Sequence, residues 1–179
     1  MEDTAAPAHN KNIQREVQQI RDQLVSDLER WELALDMPPT GRAGVHARVF
    51  REFEILLSYA AQYWSEQAGE SGLKIVNAVS RGKTLDRLTL GQKVAILRRL
   101  YEGAEPKTRS NWHADDLETI QRIIKRRNDF AHGRISYHAS DSNAIQALFS
   151  DIRTFGQSAI LTGIGTIEVR PTQQLADDR

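Results

Sequence analysis

The chain has 179 residues, with 24 lysines and arginines against 24 aspartates and glutamates, and no cysteine. That length holds one domain with a real core and not comfortably two. Zero net charge excludes nucleic-acid binding by a basic whole, leaving only a local patch, and the missing cysteines exclude disulfides, thiolate zinc sites and thiol nucleophiles.

Residues 1–11 are polar, rich in small side chains, and read as a disordered leader rather than a signal peptide. No apolar run approaches the ~20 residues needed to cross a bilayer. The chain is therefore expected to be soluble and cytoplasmic, with no membrane partner. A long helix is expected over 12–36, where Ile13, Val17, Ile20, Leu24, Leu28, Trp31 and Leu35 step by threes and fours. So regular a stripe suits a bundle core or a helix–helix seam. Met37–Pro38–Pro39 ends it, because the residue before a proline is pushed out of the α region.

A second helix is expected over 43–67, burying Val45, Val49, Phe53, Leu56, Leu57, Ala60 and Trp64. Its aromatics read as core, not as base-stacking platforms. Residues 69–88 fit a short helix or an irregular excursion equally well. Thr89 and Gln92 then form a capping box. The helix they open carries Val94, Leu97, Leu100 and Tyr101 and stops near Gly103. After a loop through Trp112 comes the helix that ends near Gly133. Asp141 or Ser142 is a plausible N-cap for a last helix over 143–160, burying Ile145, Leu148, Phe149, Ile152 and Phe155. Thr166 to Arg170 alternates as a short strand would, within a C-terminal tail over 163–179 that is polar from Pro171 onward. The expected fold is all-α, a bundle of about five main helices over 12–162 with little or no sheet.

Residues Ile120 to Arg134 (IQRIIKRRNDFAHGR) carry the most information. Leu117, Ile120, Ile124 and Ala131 trace an apolar face. At about 100° per residue, Arg127 falls inside that stripe. A guanidinium cannot enter a dry core alone, because an unpaired buried ion costs several kcal/mol. Arg127 must therefore be paired inside the fold, or face a groove or subunit interface open to an anion. Asn128 and His132 are four apart on the neighbouring strip, and Gly133 is a helix stop. Arg122, Lys125 and Arg126 fit the ordinary pattern of cations in the last turns of a helix, with Asp115, Asp116 and Glu118 at its start.

No phosphate-cradling GxxxxGK[ST], HExxH or GxSxG occurs. His113, His132 and His138 do not have a zinc-binding helix spacing. No metal or cofactor is expected.

Arg127–Asn128–Asp129–Phe130–Ala131–His132 resembles the R-N-x-x-x-H motif of the HEPN superfamily, placed late in an all-helical domain at the end of a penultimate helix. The start Leu88–Thr89–Leu90–Gly91–Gln92 is also similar to segments of several members. The resemblance spans roughly 12–160, but its specific part is six residues. It implies a metal-independent endoribonuclease that dimerises so that two motifs face one cleft. His132 would be the acid–base residue, Arg127 would hold the scissile phosphate, and Asn128 would position one or the other. Lys125, Arg126 and Arg134 are the candidate supporting RNA or phosphate contacts.

The chemistry is self-consistent. An imidazole exchanges protons near neutral pH, and a guanidinium offers phosphate a fixed fork. The ribose 2′-hydroxyl supplies the nucleophile, leaving a 2′,3′-cyclic phosphate. The resemblance further implies a toxin or phage-defence effector restrained by an antitoxin or regulatory protein. Arg134 stands where many toxin members paired with a nucleotidyltransferase carry a tyrosine, so control by modifying that tyrosine is not implied. The alternative is a non-catalytic module of the same fold that binds a nucleotide or a protein partner.

Overall fold

A computed structural model describes residues 5–33, 39–103, 114–136 and 141–164, with side chains for 11–30, 43–103, 114–136, 141 and 143–164. The described residues form helices and no strand. In chain order these are α1 (Ala5–Leu33), α2 (Pro39–Gln67), α3 (Gly69–Ser80), a 3-10 turn (Leu85–Arg87), α4 (Leu90–Gly103), α5 (Ala114–Ala131), α6 (Ser142–Gly156) and α7 (Ala159–Thr162). The fold is an all-α bundle, as the helical periodicity requires.

Four boundaries differ from the sequence reading. Helix α1 begins at Ala5, so most of the expected leader is helical. Alanine is the strongest helix former, and a proline in the first turn forfeits only an unused N–H. Helix α2 begins at Pro39 for the same reason. The ambiguous 69–88 stretch holds a sixth helix of at least twelve residues, α3, ended by Arg81 in the left-handed region. The last helix breaks after Gly156 and restarts as α7, and Ile164, placed in the tail by sequence, is buried in the core. The strand expected at 166–170 lies outside the described residues.

The capping box is present: Thr89 N–H donates to Gln92 Oε1 (3.1 Å) and Gln92 N–H to Thr89 Oγ1 (3.3 Å). Helix α2 is the spine. Val45, Val49, Phe53, Leu56, Leu57, Ala60 and Trp64 are all buried along it. It runs antiparallel to α1, whose Val17, Leu24 and Leu28 close one side of the core. Phe155 of α6 meets Phe53 edge-on, with centroids 5.1 Å apart. Trp64 Nε1 donates to the Ile160 carbonyl at 2.8 Å, pinning α7 to α2. A Cβ at Gly163 would lie 2.9 Å from the Trp64 ring, so that close approach needs glycine. Arg21 Nε donates to the Gly156 carbonyl at 2.8 Å, placing a cation on the negative end of α6. Among the described residues, no helix is long and apolar enough to cross a membrane.

Candidate functional site

Helix α5 ends in a Schellman turn. Gly133 is left-handed at φ +67°. Its N–H donates to the Phe130 carbonyl (3.0 Å), and the Arg134 N–H reaches back to the Asp129 carbonyl (2.8 Å). His132 is the C-cap residue of that turn, its N–H bonded to the Asn128 carbonyl at 2.9 Å. The backbone around the motif is thus fixed, while the His132 and Asn128 side chains are exposed. This is the accessible imidazole that Gly133 signals in the sequence.

The buried face of α5 is Leu117, Ile120 and Ile123; Ile124 is half-buried and Ala131 exposed. The stripe is therefore rotated toward Ile123 relative to the sequence reading. Arg127 continues it, four residues beyond Ile123, and is half-buried. Among the described residues it makes no hydrogen bond or ion pair. Its neighbour in charge terms is a histidine, His46 of α2. The His46 ring is buried between Phe50 and Phe130, with centroids 5.0 and 4.6 Å away. Burial, and then the Arg127 charge, lower its pKa from 6.5 to about 4. His46 is therefore neutral at pH 7, and it adds no second positive charge beside Arg127.

The three supporting cations differ in their surroundings. Lys125 is exposed. Arg126 is turned to α6, where it is bonded to the Asp151 carboxylate and to the Ala147 carbonyl (3.3 Å). Arg122 shares the same carboxylate at 3.2 Å. Arg134 pairs with Asp129, the acid inside the motif, at 3.2 Å. Two of the three cations are thus partly neutralised. Arg127 and His132 are five residues apart, about 140° on the helical wheel, so helix geometry alone does not converge them within one chain.

Among the described residues no group of three or more His, Asp or Glu side chains is placed to hold a metal ion. His113 and His138 lie outside the described residues.

A second feature escaped the sequence reading. Asp27 of α1 is fully buried, 3.4 Å from Arg30 and 3.6 Å from Arg48 through one oxygen. Across the seam stands Glu52 of α2, whose pKa burial and the Asp27 carboxyl raise from 4.5 to about 7. No described donor reaches Asp27 Oδ2 or Glu52 Oε2. A proton held by Glu52 and donated to Asp27 satisfies both.

Comparison with protein-family models, curated proteins and solved structures gave no match.

Proposed function

We propose that the chain is a metal-independent endoribonuclease of the HEPN kind, acting as a homodimer. The observation that carries the reading is the end of α5. An exposed histidine caps a helix whose preceding turn holds an arginine with no carboxylate partner among the described residues. His132 takes the proton from a ribose 2′-hydroxyl or gives one to the leaving 5′-oxygen. Arg127 holds the phosphate as charge builds on it. Asn128, on the same strip as His132, orients it or the phosphate. The wide angle between Arg127 and His132 supports a composite site, with the second copy completing what one chain leaves splayed. Two copies also supply two histidines, one to act as base and one as acid.

Lys125 offers RNA an exposed cation, with Arg126 beside it and Arg134 beyond the helix end as further contacts. A ribonuclease of this kind needs restraint, and we place it in a toxin–antitoxin or phage-defence setting, in the cytoplasm, with an inhibitory protein partner. The pairing of Arg126 and Arg134 with carboxylates favours a second reading, a non-catalytic module of the same fold that binds a nucleotide or a protein partner. Cleavage by wild type separates the two, since the module cleaves no RNA, and substitution then tests the role of Arg127. Arg127→Lys keeps the charge and loses the fork. The enzyme reading expects it to lose at least about tenfold in cleavage at unchanged thermal midpoint. RNA cleavage as fast as wild type by both Arg127→Lys and Arg127→Ala would overturn the assignment.

A further inference from the structure

A second cleft, of about 380 Å³, opens between α2 and the start of α4, with Lys93 and Ser58 on its wall. Lys93 lies in the first turn of α4, fixed by the capping box, with its N–H on the Thr89 carbonyl at 3.0 Å. The residue is buried, and Nζ donates to Ser58 Oγ at 2.8 Å. The Ser58 hydroxyl is itself committed as donor to the Glu54 carbonyl at 2.8 Å. An ammonium has three N–H bonds, and among the described residues Ser58 is the one partner Lys93 has.

The carboxylates of Glu54 and Asp86 line the same cleft and act on Lys93 through their charge, yet neither forms an ion pair with it. Burial lowers the Lys93 pKa, and these two acids oppose that shift. Ile55 and Leu85, both half-buried, give the cleft apolar walls. A buried cation with unused donors, the half-buried Glu54 carboxylate and two apolar walls fit a flat ligand with acceptors on one edge and donors on the next, while the exposed Arg51, and Asp86, which is exposed and already accepts from Thr84, sit at the rim.

We propose that this cleft is a pocket for a guanine base. Guanine carries acceptors at O6 and N7, which Lys93 faces. Beside them are the N1–H and N2–H donors, which the Glu54 carboxylate accepts. The ring lies between Ile55 and Leu85. Adenine keeps the N7 acceptor but turns an amino donor toward the ammonium in place of O6, and an unprotonated N1 toward the Glu54 carboxylate. The inference is independent of the cleavage chemistry at α5. Ser58 is twelve residues beyond His46, about 18 Å along α2. The base comes either from a free nucleotide or from an RNA strand, and the test distinguishes them.

The experiment is calorimetric titration of the full chain with GMP, with AMP, and with two short single-stranded RNAs that differ by one guanine replaced by adenine. GMP should bind at least about tenfold more tightly than AMP, since one good base contact discriminates by that much. Lys93→Met should remove the preference. Because Lys93 is buried, the second variant is Glu54→Gln with Asp86→Asn, two changes toward the surface, which should also abolish it while the thermal midpoint holds. Preference for the guanine RNA without GMP binding assigns the base to a strand. Equal affinity for guanine and adenine ligands, no binding of either, or an unchanged preference in the double variant overturns the pocket.

Discussion

The His46 ring lies against the Phe130 ring, centroids 4.6 Å apart and planes tilted by 50°. That contact ties α2 to the last turn of α5, two residues before His132. The fold accepts His46 only as the neutral ring, whose pKa falls from 6.5 to about 4. As pH drops, the unfolded chain takes up a proton before the folded chain does. Stability from this group is complete above about 6.5 and is lost as pH falls toward 4. His46→Phe keeps an aromatic ring and removes the titration. Between pH 7 and about pH 4.5, wild type should lose on the order of 2 kcal/mol more than the variant, read from urea midpoints. Parallel pH slopes would contradict the assignment.

Glu52 gives the opposite slope. Its pKa rises from 4.5 to about 7, so the folded chain holds a proton that the unfolded chain has released. Stability therefore falls as pH rises through that window, and the cost persists above it. Glu52→Gln supplies a neutral side chain whose amide can donate to Asp27. It should match wild type near the lower end of the window and exceed it in urea midpoint above pH 7. Wild type carries both slopes, so its stability should change less with pH than that of either variant.

Gly133→Ala tests the turn that presents His132. The left-handed backbone at φ +67° costs a side chain about 1 kcal/mol. A Cβ there meets no neighbour, so the penalty is conformational rather than steric contact with the rest of the fold. The thermal midpoint should fall by a few degrees, and cleavage should fall further than stability does, because the imidazole loses its fixed origin.

Asp151 holds Arg122 and Arg126 against α6. Asp151→Asn should free both for RNA. Binding should tighten at low salt, and its log–log salt dependence should steepen by about 0.7 for each new phosphate contact. An unchanged slope would show that Arg126 does not reach the RNA backbone.

Period and punctuation made most of the fold legible. The three- and four-residue steps picked out buried residues of α2, α4 and α6, although in α4 Tyr101 is half-buried and the buried Ile96 was missed; Thr89 and Gln92 marked the start of α4, and Gly133 the end of α5. Helix starts were less legible, because Pro39 reads equally as a stop and as a first-turn residue. At the candidate site, the polar break in an apolar stripe found Arg127. The same rule applies to Asp27, between Leu24 and Leu28, and to His46, between Val45 and Val49. Their partners are long-range: Glu52 is 25 residues from Asp27, and Phe130 is 84 from His46. A periodic pattern reports which face is buried, but not what lies across from it.

The most direct test of the central claim is to incubate RNA with wild type and His132→Ala in EDTA and map the 3′ ends. Wild type should leave 2′,3′-cyclic phosphate ends and the variant none, with both proteins equally folded by circular dichroism. Cleavage by His132→Ala at the wild-type rate, or 3′-hydroxyl ends from wild type, would contradict it.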